Sequence, residues 1–123
     1  MAIGGSLGCR PRGPLRRRFR TMPIITRIWH GRTRADDAEE YQQFVIATGV
    51  PDYKSVLGNL GVEIWRRIEG EVCHFWTVTK WDSYESIKEF AGEEFERAKY
   101  YDEDANYLLE FESNVIHCET FTF

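Results

Sequence analysis

Hydrophobic and polar positions along this chain change period several times, and the changes mark its elements. The stretch "EVCHFWTVTKW" alternates at a period of two, placing Val72, His74, Trp76, Val78 and Lys80 on one side and Cys73, Phe75, Thr77, Thr79 and Trp81 on the other. Both sides are bulky, so this strand needs cover on both faces. "IITRIWHGRT", from Ile24 to Thr33, is β-branched and aromatic and predicts a first strand. "TRADDAEEYQQFVIATG" then shifts to the helical period, with Ala38, Tyr41, Phe44, Val45 and Thr48 on one face and Thr33 as a candidate cap. Gly49 is expected to close that helix and Pro51 to prevent its continuation.

"NLGVEIWRRI" alternates as a second strand, and Glu69-Gly70 supplies a two-residue turn into the third. Asp82 and Glu85 form a capping pattern ahead of Tyr84, Ile87, Phe90, Ala91, Phe95 and Ala98, so "DSYESIKEFAGEEFERAKYY" predicts a second helix that Gly92 weakens or kinks. "NYLLEFESNVIHCETFTF" predicts the last strand. The order β-α-β-β-α-β is the α+β, ferredoxin-like split βαβ arrangement, an antiparallel sheet with both helices on one face. The uncovered face then calls for a second sheet, and a homodimer supplies it.

With Glu69-Gly70 as the turn, Ile68 opposes Glu71 and His74 opposes Trp65. One face collects Leu60, Val62, Ile64 and Ile68 with Cys73, Phe75, Thr77 and Trp81, a set suited to helix packing. The other collects Glu63, Trp65, Arg67, His74 and Trp76, a mixed aromatic, cationic and acidic surface of the kind that lines a ligand cavity between two sheets. Each member also has a plain explanation: a structural histidine, tryptophans that fill an interface, an ordinary ion pair between Glu63 and Arg67. Arg27 and Trp29 of the first strand complete the candidate substrate-contacting set.

Charge divides the chain. Met1 to Thr21 carries Arg10, Arg12, Arg16, Arg17, Arg18 and Arg20 and no acid, although the whole chain holds 16 basic and 20 acidic residues. Residues 1–21 therefore read as a disordered Arg-rich tail and 22–123 as the folded domain, with Met22 an alternative start. The tail has no apolar h-region; an organelle-targeting leader and a nucleic-acid-binding arm are the alternatives to a dispensable extension. The acidic body opposes nucleic acid as a partner, and no apolar run reaches membrane-spanning length. Cys9, Cys73 and Cys118 lack a CxxC spacing, which favours reduced thiols and a cytoplasmic location. His30 and His117 join His74 on strands, but with no His-x-His or HExxH spacing no metal is expected. Phosphate-loop, dinucleotide and serine-nucleophile motifs are absent from the sequence.

"ITRIWHGRT", "GVPDY", "GNLGVEIWRR", "TKWDSYESIKEFAG", "KYYDEDANYLLEFE" and "VIHCETF" together resemble the antibiotic biosynthesis monooxygenase-like proteins of the dimeric α/β-barrel superfamily, over roughly Ile24 to Phe121. The resemblance implies a ferredoxin-like protomer that dimerises sheet to sheet. Some members oxygenate phenolic or quinoid aromatics with no cofactor, the substrate carbanion itself activating oxygen, while relatives degrade haem or isomerise lactones. Such oxygenation requires a base, donors for the oxyanion and an aromatic pocket. His74 and Arg67 are the candidate catalytic pair, with Trp65, Trp76, Glu63, Trp29 and Arg27 around a small aromatic ligand. Haem-degrading relatives use a helical histidine; here Phe90 follows "WDSYESIKE" and no predicted helix has a histidine, which makes haem chemistry a poorer match. The competing expectations are a non-catalytic small-ligand-binding barrel and an isomerase or cyclase of the same superfamily.

Overall fold

The computed structural model describes residues 23–123. The expected tail and the boundary at Met22 lie outside these residues. Strand β1 spans Ile24–Arg34, helix α1 Ala38–Ala47, a short helix α2 Gly49–Lys54, β2 Asn59–Glu69, β3 Val72–Trp81, helix α3 Tyr84–Ala91 and β4 Ile116–Thr120. The sheet is antiparallel with spatial order β2-β3-β1-β4, the α+β ferredoxin-like arrangement.

Local chemistry explains both the matches and the departures. Pro51 does not end the first helical region. It falls in the first turn of α2, where its missing N–H has no intrahelical acceptor to lose, and Thr48 turns the chain between the two helices with its hydroxyl on the Phe44 carbonyl at 2.7 Å. Thr33 caps nothing; it is buried in β1. Ser83, not Asp82, caps α3 by accepting from the Ser86 N–H, while Asp82 accepts from both serine hydroxyls.

The second helix is far shorter than its apolar spacing predicts. Gly92, at φ 90°, stops it after Ala91. The following chain is irregular, with a 3-10 turn at Asp102–Asn106; of the expected last strand, Ile116–Thr120 forms β4 and Leu108 makes an isolated antiparallel bridge to Thr33 of β1. Phe95 and Ala98 nevertheless pack on the core from this irregular segment.

The hairpin turn is Gly70-Glu71, with Gly70 at φ 64°, rather than Glu69-Gly70. Glu69 therefore pairs with Val72, Arg67 with His74 and Trp65 with Trp76. The pairing moves by two residues, so every side chain keeps its predicted face while its partner changes. An irregularity between Asn59 and Gly61 leaves Leu60 exposed at the far end of β2.

Helices and the irregular segment cover one sheet face. Trp29, Cys73 and Phe75 meet Ala38, Tyr41, Val45, Leu108 and Val115 in one cluster; Ile25 and Trp81 meet Tyr53, Ile87 and Phe90 in another. Among the described residues no helix crosses the opposite face, although Thr26 and Val78 on it are buried.

Candidate functional site

Two polar groupings flank the sheet. The first stands on the open face, where even-numbered β1 and β3 residues and odd-numbered β2 residues project. The register sets His30 opposite Trp76 and Arg32 opposite His74. His74 thus has Arg67 on one side and the His30 strand on the other. His30 Nε2 and His74 Nδ1 are 3.0 Å apart. Beyond them, His30 Nδ1 lies 2.5 Å from Glu112 Oε2 and His74 Nε2 lies 3.1 Å from Glu69 Oε1. Trp76 lies close to both rings, with centroids 5.2 Å from His30 and 5.6 Å from His74, and is nearly parallel to the latter at 14°.

The remaining predicted open-face residues surround this file. The Trp65 indole N–H donates to Glu63 at 2.9 Å, and the ring is 49% exposed beside Trp76. Arg67 pairs with Glu69, not Glu63, at 3.7 Å. Arg32 makes a two-pronged contact with Glu110 at 2.6 and 3.0 Å, and that bond holds the Glu110 carboxyl below its usual range. Glu63, Trp65, Arg67, His74 and Trp76 therefore share one face, as their alternation predicts.

Arg27 and Trp29 do not join them. Odd-numbered in β1, they point under the helices and belong to the second grouping. Arg27 is fully buried, its Nη2 donating to the carbonyls of Phe95 and Arg97 at 3.4 and 3.1 Å, with its guanidinium 5.3 Å from the Phe90 ring centre. Its Nε and Nη1 have no hydrogen-bond partner among the described residues, nor has the Trp29 indole N–H. Burial lowers the Arg27 pKa, and burial followed by the Arg27 charge pulls neighbouring His117 down to about 4.

Close by, Trp29, Tyr41, Phe44, Tyr53, Thr77, Lys99, Tyr101 and Asp104 line a small cavity between the sheet and α1-α2. It has room for about one water, roughly 30 Å³. Tyr41 donates to Asp104 at 2.9 Å; Tyr101 and Lys99 both donate to Asp52, the lysine at 2.9 Å. Burial raises the Asp104 pKa and lifts Tyr53 to about 12. Burial also acts to raise Asp52, but its bonds from Tyr101 and Lys99 outweigh that and hold it low.

Sequence reasoning missed His30, Glu112 and Glu69 as companions of His74. The β1–β3 register was the available signal for His30; Glu112 lies in the irregular segment, where no period exists to read.

No protein-family model and no curated protein matches the chain. Solved structures resemble it at low identity. A conserved protein from Methanosarcina mazei Go1 aligns with a TM-score of 0.60 and 10% identity, over 85% of this chain and 99% of that one. PA3566 from Pseudomonas aeruginosa gives 0.53 and 13%, over 82% and 96%. A Bacillus cereus protein provisionally assigned as an antibiotic biosynthesis monooxygenase gives 0.51 and 14%, over 83% and 95%. At these identities the likeness establishes a shared fold.

Proposed function

We propose that this protein is a cofactor-independent monooxygenase of small phenolic or quinoid aromatics, working as a sheet-to-sheet homodimer. One observation carries the reading: His74 is held between a second imidazole and a carboxylate on an aromatic floor. That is where a planar phenol would stack on Trp76 and Trp65 and present its hydroxyl.

His74 takes the phenolic proton and leaves the electron pair on oxygen. Arg67, opposite His74, steadies the phenolate. The electron-rich ring then reduces dioxygen: one oxygen atom bonds to ring carbon in place of that carbon's hydrogen, and the other leaves as water with that hydrogen and the proton returned by His74, giving the quinone. Glu63 holds the Trp65 indole in place. A second copy laid over the open face would exclude water and bury well over ~1,000 Å² in total, the scale of a stable interface.

Oxygen uptake across a panel of hydroquinones and anthrone-type phenols tests the activity. His74→Gln is expected to cut turnover by ~10²-fold or more while the dimer survives, because it removes a base and keeps a polar side chain. Uptake at the parent rate would exclude His74 as the base; binding without uptake by any of the panel would make the chain a non-catalytic ligand-binding barrel.

A second reading puts the ligand in the helix-side cavity, favoured by Trp29, which lines it and whose indole N–H has no partner among the described residues. The α1-α2 pair must move outward for an aromatic ring to enter. On that reading Trp29→Phe weakens substrate binding and His74→Gln leaves it unchanged.

A further inference from the structure

The file Glu112–His30–His74–Glu69 constrains its own protons. An ionised carboxylate only accepts, so Glu112 requires a proton on His30 Nδ1 and Glu69 requires one on His74 Nε2. The two facing nitrogens then meet at 3.0 Å. With ring centres 5.2 Å apart and planes 24° from parallel, the rings approach edge to edge, nitrogen toward nitrogen. Two bare lone pairs at that distance repel, and two N–H groups repel more strongly. One proton between them satisfies both.

Three protons over four ring nitrogens make one neutral imidazole and one imidazolium, a single positive charge between two carboxylates. The observed gap fits a proton.

We propose that Glu112, His30 and His74 form a proton relay holding one shared proton at rest, and that Glu69 is a removable stand-in for the oxygen of the substrate. The relay rests on the reading of His74 as the base; the shared proton does not. The two ends differ in exposure. The Glu69 side chain is 61% exposed on the hairpin rim, whereas that of Glu112 is 39% exposed. Glu112 is also placed from behind, its backbone carbonyl accepting from the Tyr100 hydroxyl at 2.6 Å.

When Glu69 swings out, the proton on His74 Nε2 passes to solvent and the pair becomes neutral, with that nitrogen bared. A phenol entering in place of Glu69 breaks its O–H bond as the N–H bond forms at Nε2. Its electron pair stays on oxygen, and the positive charge returns to the pair, facing Glu112. Arg67, released from Glu69, is left beside the phenolate. The adjacent Arg32–Glu110 pair is closed on itself and does not compete for the imidazoles.

The test is nitrogen-15 NMR of the full chain labelled at histidine, with signals assigned through His30→Gln and His74→Gln. The expected result is a nitrogen–nitrogen scalar coupling between His30 Nε2 and His74 Nδ1, transmitted through the shared proton and lost in either variant. Glu69→Gln should keep this coupling. Glu112→Gln should lower kcat by ~10²-fold with KM little changed, since it removes the charge that faces the imidazolium without touching substrate. No coupling between the two rings at any pH from about 5 to 8, the range in which histidine changes charge, would overturn the shared proton and the relay with it. That outcome leaves the oxygen-uptake result for His74→Gln to stand or fall separately.

Discussion

The two faces of the sheet handle polar groups in opposite ways. Beneath the helices, packing fixes positions and hydrogen bonding is incomplete among the described residues: buried Arg27 has two nitrogens, and buried Trp29 its indole N–H, without partners. Tyr53 and Asp104 are pushed toward their neutral forms there by burial. On the open face no helix packs, but several polar side chains pair: Arg32 with Glu110, Trp65 with Glu63, and the two histidines with each other and with two carboxylates. A face that only had to be covered would gain nothing from this file of imidazoles and carboxylates, because apolar residues would cover it with less desolvation. The covered face carries stability; on the proposed function, the open face is where the chemistry takes place.

The sharpest way to break this contrast is to truncate one tryptophan from each side. Trp81→Ala should cost ~3–5 kcal/mol, since the ring is fully buried and the residual cavity cannot collapse. Trp76→Glu should leave the protomer folded and weaken the proposed homodimer at least ~30-fold, because an unpaired carboxylate would sit in the middle of its contact. Denaturant unfolding and sedimentation read the two effects; equal losses of protomer stability would erase the distinction between the faces.

A smaller effect concerns His117, on the covered side of β4. Its pKa is about 4 in the folded chain against an ordinary 6.5, lowered by burial and then by Arg27. Between these values the unfolded chain binds more protons than the folded one, so stability falls as pH drops from about 6.5 toward 4 and the loss saturates below that. His117→Gln should remove this slope. Unfolding curves for parent and variant that stay parallel through the window would show that His117 is not shielded as described.

Smallest is Gly70→Ala. Its Cβ would meet open space, so the cost is conformational alone, ~1–2 kcal/mol from φ 64°. No loss would mean that the turn does not hold Gly70 in the left-handed region.

How much was legible in the sequence follows from what period encodes. The alternation in β2 and β3 identified Trp65, Arg67, His74 and Trp76 as neighbours on one face even though the turn was placed one residue early, since a shift of two in pairing preserves parity. It could not give the partner of His74, which depends on the turn itself. The same alternation, applied to β1, separates Arg27 and Trp29 from the open-face set and joins His30 to it. The second helix misled because Phe95 and Ala98 fall at helical spacing, while the termination signal was a single glycine whose φ no pattern shows. Glu112 had no legible signal, for irregular backbone places side chains without a period.

From Trp65 to Glu71 every residue of the hairpin is exposed, and Arg66 ties this end to α1 through Gln42 and Glu39. An edge strand so placed is where amide hydrogens exchange first. Glu69 rides on it. The interval between local frayings then becomes a clock for the site: how often the hairpin end opens would set how often His74 is uncovered. Loosening the Arg66 tether should quicken exchange there without altering a single group that touches substrate.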